Sequence, residues 1–95
     1  MARTRLSAEQ VAEGLAGLKG WKPDGERAIS KRFVLKDHVA ALGFVVTVAA
    51  TAEAIDHHPE VHWVFNRVTF TLSTHDAGGV TARDFELAKR IDALR

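Results

Sequence analysis

Four of the five histidines fall between positions 57 and 75, as His57-His58, His62 and His75. An imidazole with a reference pKa of about 6.5 can both give and take a proton near neutral pH, so such a group points to general acid and base chemistry. Three carboxylates accompany them: Glu53 and Asp56 just before the pair, and Asp84 after His75. Cysteine is absent, which excludes disulfides, thiolate metal sites and a cysteine nucleophile. No phosphate-binding glycine loop, cofactor fingerprint or nucleophile beside a base is present either. His58 and His62 have the i, i+4 spacing of a zinc-protease helix, but Pro59 lies between them and the following run reads as strand. A metal site is therefore not expected. His38 and His62, each alone, read as solvated or hydrogen-bonded structural residues.

The cluster must be positioned by the elements around it. After Pro59, Val61, Trp63 and Phe65 alternate with polar neighbours as a strand, and Val68, Phe70 and Leu72 do the same in a second. With Asn66-Arg67 as a two-residue turn, Phe65 is expected opposite Val68, Trp63 opposite Phe70, and Val61 opposite Leu72, apolar on apolar throughout. Continued past the strands, that register brings His58 near His75, so His57, His58 and His75 are expected to converge at one end of the sheet. Three imidazoles brought together repel one another when charged, which a fold has little structural reason to accept. The trio therefore reads as a site.

Upstream, Ser7 with Gln10 forms a capping box before Val11, Leu15 and Leu18, with Gly20 as a stop. Pro23-Asp24-Gly25 marks a turn between a short strand and a second one in which Ile29, Phe33 and Leu35 oppose Ser30 and Arg32. Asp37 is placed to cap a long helix running to about Ile55. That helix carries two apolar stripes, Val39, Leu42, Val46 and Ala50 on one and Phe44, Val48 and Ile55 on the other, so it needs two partners, its own sheet and another subunit. Thr81 caps a last helix whose inner stripe reads Leu87, Ile91 and Leu94, and stepping back along that stripe reaches Asp84. A carboxylate on an inward helix face is an oddity.

Ninety-five residues, 46% hydrophobic and 26% charged, make one globular domain over 1–95 with a thin core, for which oligomerisation is a common remedy. Thirteen Lys and Arg against twelve Asp and Glu leave a charge of +1 and no basic run, so direct nucleic-acid binding is not expected. The start, Met1 to Leu6, becomes polar and acidic by Glu9 without an apolar stretch, and Val39 to Ala50 is too short to span a bilayer. A soluble cytoplasmic protein, apart from any membrane, is the expectation.

At the cluster, the sequence resembles the pterin-4a-carbinolamine dehydratases. The family's spacing of an acid, His-His-Pro, an aromatic, His and Asp is met by Glu53, His57-His58-Pro59, Phe65, His75 and Asp84. The likeness extends to Leu6-Ser7-Ala8-Glu9, Gly20-Trp21, Phe33 to Asp37, Gly43-Phe44 and Thr71-Leu72-Ser73-Thr74-His75, nearly the whole chain. One departure is Val61, where the family often has a large aromatic, with Trp63 in the strand instead. The resemblance implies an α+β subunit, helix-strand-strand-helix-strand-strand-helix, whose four-stranded antiparallel sheet is covered by helices on one face, assembling as homodimers or homotetramers through sheet edges and the long helix.

It also implies a hydro-lyase: loss of water from a 4a-hydroxytetrahydropterin to give quinonoid dihydropterin, without metal or cofactor, recycling the pterin for an aromatic amino acid hydroxylase such as phenylalanine hydroxylase. Carried over residue by residue, His57 and His75 are the acid and base, His58 binds or polarises the substrate, and Asp84 supports the cluster. Glu53, Asp56, Pro59, Ser73 and Thr74 line the pterin pocket. Animal members of the family also serve as dimerisation cofactors of a homeodomain transcription factor, so an interaction module is the alternative of a different class. An accessory role in molybdopterin metabolism is another.

Overall fold

Three capping side chains set where helices begin. In the computed structural model, which describes residues 4–95, Ser7 and Gln10 close a reciprocal capping box ahead of α1 (Ala8–Ala16), Asp37 accepts from the Ala40 amide to open α2 (His38–Ala54), and Thr81 caps α3 (Ala82–Ala93). The expectation for the chain's first residues falls in part on 1–3, outside those described. Between the helices run β1 (Lys22–Asp24), β2 (Ala28–Val34), β3 (Glu60–Val64) and β4 (Arg67–Leu72). The strands form one antiparallel sheet in the order β1-β2-β4-β3, so the chain is an α+β domain of the expected element order.

Alternation decides which face is covered. Ile29 and Phe33 of β2 and Val68, Phe70 and Leu72 of β4 point to the helices and are buried. They meet Ala41, Phe44, Val48 and Ala52 from α2 and Leu87, Ala88 and Ile91 from α3. Phe33, Phe44 and Phe70 pack with ring centroids 5.0 to 5.9 Å apart, within the range of favourable tilted and edge contacts. The other sheet face, with Arg32, Thr69 and His62 across three strands, is left uncovered by helices.

Four local expectations are corrected. The β3–β4 turn is Phe65-Asn66 rather than Asn66-Arg67, so Val61 pairs with Phe70 and Trp63 with Val68. The slip is by two residues, which keeps every side chain on its face. Tertiary bonds pull the turn back: the Asn66 side chain donates to the Leu35 carbonyl at 3.0 Å, and the Leu35 amide donates to the Asn66 carbonyl at 2.8 Å. Phe65 takes a left-handed φ of 52°, costly for a residue with a Cβ, while its carbonyl accepts from Trp63 Nε1 and His38 Nδ1. Helix α1 stops at Gly17 instead of Gly20, although Leu18 is still buried beyond it. Pro23 lies inside β1, which an edge strand tolerates because one side of its backbone needs no ladder partner. Leu94 is the α3 cap and 38% exposed, leaving Ala88 to fill the inner stripe.

Candidate active site

Asp84 is fully buried, and its surroundings explain how a charge is tolerated there. It is the third residue of α3, where a carboxylate faces the helix's orphan amides and positive dipole end. Oδ2 accepts from the Thr81 amide at 2.9 Å, completing a capping box, and from Thr74 Oγ1 at 2.9 Å. Since the Thr74 hydroxyl hydrogen is spent on Asp84, the 2.7 Å contact between Thr74 and Thr81 is a donation from Thr81. Oδ1 stands 2.6 Å from His57 Nε2. A carboxylate only accepts, so that nitrogen carries a hydrogen, and in the neutral ring Nδ1 holds the lone pair.

His57 reaches this position because α2 ends abruptly. Asp56 turns left-handed at φ 51°, its amide bonded to the Glu53 carbonyl, and the His57 amide returns to the Ala52 carbonyl at 3.1 Å. Arg83 clamps the turn from α3, its Nη2 donating to the Asp56 carbonyl at 2.6 Å and the Ile55 carbonyl at 3.4 Å. A cation over the last carbonyls of a helix is favoured by its negative dipole end. Past β4, Thr74 and Gly79 bridge back to each other around a 3-10 turn at His75–Ala77, with Gly78 left-handed at φ 73°. That turn lifts His75 beside the histidine pair.

These segments line an open pocket of about 230 Å³ formed by Asp56, His57, His58, Ser73, Thr74, His75, Asp76 and Arg83. All three histidines of the trio share it. His58 is exposed, with Nε2 2.7 Å from Glu53 Oε1. The His75 ring has no hydrogen-bond partner among the described residues and is exposed. Asp84 lies behind His57 rather than on the wall, Glu53 touches the cavity through His58, and Pro59 is not among the lining residues. His62 is elsewhere, on the open sheet face, while His38 stacks on Trp63 with centroids 4.7 Å apart. Among the described residues no group of three His, Cys, Asp or Glu is placed to hold a metal ion.

A buried Asp–His pair beneath two further imidazoles is an arrangement for moving protons, and comparison with known proteins places it in a family. The family model for pterin 4 alpha carbinolamine dehydratase matches residues 4–94. The chain belongs to the pterin-4-alpha-carbinolamine dehydratase family. It is 50% identical over 91 residues to a Bradyrhizobium sp. (strain ORS 278) protein named "Putative pterin-4-alpha-carbinolamine dehydratase", covering 95% of this chain and 91% of that one. A Brucella ovis protein of the same name is 44% identical over 95 residues, 99% of this chain and 98% of the other. Among solved structures, a transcriptional coactivator/pterin dehydratase from Brucella melitensis superposes with a TM-score of 0.90 at 41% identity, covering 96% and 98% of the two chains. A pterin dehydratase-like protein described as a RuBisCO assembly factor in the alpha-carboxysome gives 0.68 at 25% identity over 79% and 88%.

Within this dehydratase-family fold, two cavity residues escape a reading based on the histidines. Arg83 and Asp76 both line it. Arg83 also keeps a buried Nε without a hydrogen-bond partner among the described residues, on a guanidinium whose other end holds the α2 terminus. No local sequence signal singles out Arg83, because its contacts arise only when the start of α3 packs against the end of α2. For Asp84 itself the signal was Thr81-x-x-Asp84, the spacing of a capping box, which accounts for an inward carboxylate in structural terms before any chemistry is invoked.

Proposed function

We propose that this chain is a hydro-lyase that dehydrates 4a-hydroxytetrahydropterin to quinonoid dihydropterin and water. The observation that carries the reading is the single cavity shared by His57, His58 and His75 over the buried Asp84, in a chain of the dehydratase family. Breaking the C4a–O bond needs a proton on the departing hydroxyl, and forming the C4a–N double bond releases one from the adjacent ring nitrogen. Atoms balance, with water leaving and no oxidant or reductant consumed.

His57, anchored to Asp84 through Nε2, is the better oriented imidazole: its tautomer is fixed and the carboxylate stabilises the imidazolium formed when Nδ1 takes a proton. His75, whose ring has no hydrogen-bond partner among the described residues, serves the opposite proton in this reading. His58, tethered to Glu53, and the Ser73-Thr74 edge with Asp56 and Pro59 nearby bind the pterin in this reading. No metal or cofactor takes part in it, and the physiological setting is pterin recycling for an aromatic amino acid hydroxylase in the cytoplasm. The apolar stripe left bare on α2, with Val39 75%, Leu42 46% and Val46 59% exposed, supports assembly as a homodimer or homotetramer.

The test is the decay of 4a-hydroxytetrahydropterin absorbance with purified protein. Acceleration over the spontaneous rate is expected, with a loss of about 10² to 10⁴-fold in His75→Ala, the usual worth of one acid or base. No acceleration by the wild-type chain overturns the enzymatic reading and favours the interaction role, in which His75→Ala is neutral.

A further inference from the structure

The sheet's uncovered face carries a second cluster. Arg32, Thr69 and His62 stand side by side across β2, β4 and β3, and Arg67 precedes Thr69 by two residues in β4, on the same face. Together with Val64 they line a depression of about 250 Å³ that shares no residue with the histidine cavity. Two guanidiniums, an imidazole and a hydroxyl thus meet within roughly two strand spacings of about 4.8 Å each. Neither arginine has an ion-pair partner among the described residues. Two carboxylates share this face. Glu60 is two residues along β3 from His62, opposite Thr71, and Asp24, on edge strand β1 opposite Ala28, lines an adjoining depression with Arg32 and Thr69; neither lines the depression of the cluster itself, and neither pairs with Arg32 or Arg67 among the described residues.

Like charges gathered on neighbouring strands weaken a sheet. A solvated face ordinarily pairs such charges with acids, yet neither Glu60 nor Asp24 pairs with Arg32 or Arg67 among the described residues. Guanidiniums present a planar fork of donors that matches tetrahedral oxyanions, and a threonine hydroxyl and an imidazole add donors between the forks. Val64, 43% exposed at one wall, offers an apolar contact that a bare anion does not use and the organic part of an ester does. We infer that Arg32, His62, Arg67 and Thr69 form a binding site for a phosphate-type oxyanion, on the opposite side of the sheet from the helices and independent of the dehydratase reading. Both free phosphate and a phosphate monoester present this chemistry.

The experiment is a ¹H–¹⁵N NMR titration of the full chain with inorganic phosphate and, separately, phenyl phosphate, at constant ionic strength set by chloride. Saturable shifts centred on the amides of 32, 62, 67 and 69 and on the two arginine Nε–H signals are expected with either probe. Phenyl phosphate binding at least fivefold tighter identifies an ester ligand through Val64; equal affinities identify the free anion; either supports the site. Arg32→Gln and Arg67→Gln, both exposed and free to fold, should each weaken binding tenfold or more, with Arg67→Lys intermediate because it keeps charge but loses the fork. Shifts that grow linearly with probe, or that persist unchanged in the two glutamine variants, overturn the proposal.

Discussion

At the scale of single residues, Asp84 joins stability to chemistry. Its carboxylate accepts from His57, Thr74 and the Thr81 amide while wholly shielded from water. Asparagine has the same shape but presents an NH₂ where one oxygen stood, so at least one of these donors must face another donor. Losing a partner in a buried charged cluster costs about 3 to 5 kcal/mol, and the cap alone about 1. Asp84→Asn is therefore expected to lower unfolding free energy by about 3 kcal/mol in urea titration, with the slope unchanged. A loss below about 1 kcal/mol would show that the carboxylate is not held as described. His75 makes the contrasting case. It is exposed and its ring has no hydrogen-bond partner among the described residues, so His75→Ala should stay within about 0.5 kcal/mol of the parent in the same titration. The two variants separate a residue that builds the pocket from one that only works in it. Both positions stood out in the sequence, His75 by composition and Asp84 by being polar on an apolar stripe. What a linear reading did not show was that Asp84 holds a helix cap and a histidine with different oxygens, because that needs the distance between chain segments 27 residues apart.

Among elements, the contacts that place the site are made by short side chains and helix ends. Arg83 ties α3 to the end of α2 through two carbonyls, and removing it leaves the left-handed Asp56 turn without its charged donor. Arg83→Met should cost about 1.5 to 3 kcal/mol, the worth of hydrogen bonds to a charged group, and the amides of 55–58 should exchange faster with deuterium than those of mid-α2. Uniform exchange across α2 would argue against a local clamp. Helix α1 docks more closely still: a Cβ on Gly14 would lie 2.5 Å from the Phe85 ring. Alanine normally stabilises a helix interior over glycine by about 1 kcal/mol, yet crowding into a packed contact costs about 1 to 3. Gly14→Ala is thus expected to lower Tm in a thermal melt, and a rise would mean that the ring moves aside freely. Caps, periodicity and the succession of helices and strands along the chain were legible because they are local and repeat with the period of the element, whereas the pairing of β2 with β4 is not local. The β3–β4 turn was not, since Leu35 and His38, far away in sequence, hold its carbonyls and choose Phe65-Asn66 over the neighbouring pair.

For the molecule as a whole, the long helix poses the remaining question. A single sheet with helices on one face gives α2 one side to bury, and Ala41, Phe44, Val48 and Ala52 use it. Val39, Leu42 and Val46 share the opposite side with the small residues Gly43 and Ala50, all exposed. Apolar side chains flanking small ones make a surface on which another helix can approach closely, and an isolated small domain gains little from leaving such a stripe in water. The same two stripes are visible in the sequence, where a helix apolar on both sides already called for two partners. If the second partner is another copy, the wild-type chain should sediment as a dimer or tetramer at micromolar concentration. Val46→Glu places a charge in the middle of the stripe, where it would have to be desolvated on assembly, at a cost of several kcal/mol per ion. The variant should sediment as a monomer with its far-ultraviolet circular dichroism retained, and its Tm should fall because assembly no longer stabilises the folded state by mass action. A wild-type chain that sediments as a monomer, or a glutamate variant that assembles as well as its parent, would place the contact elsewhere on the molecule.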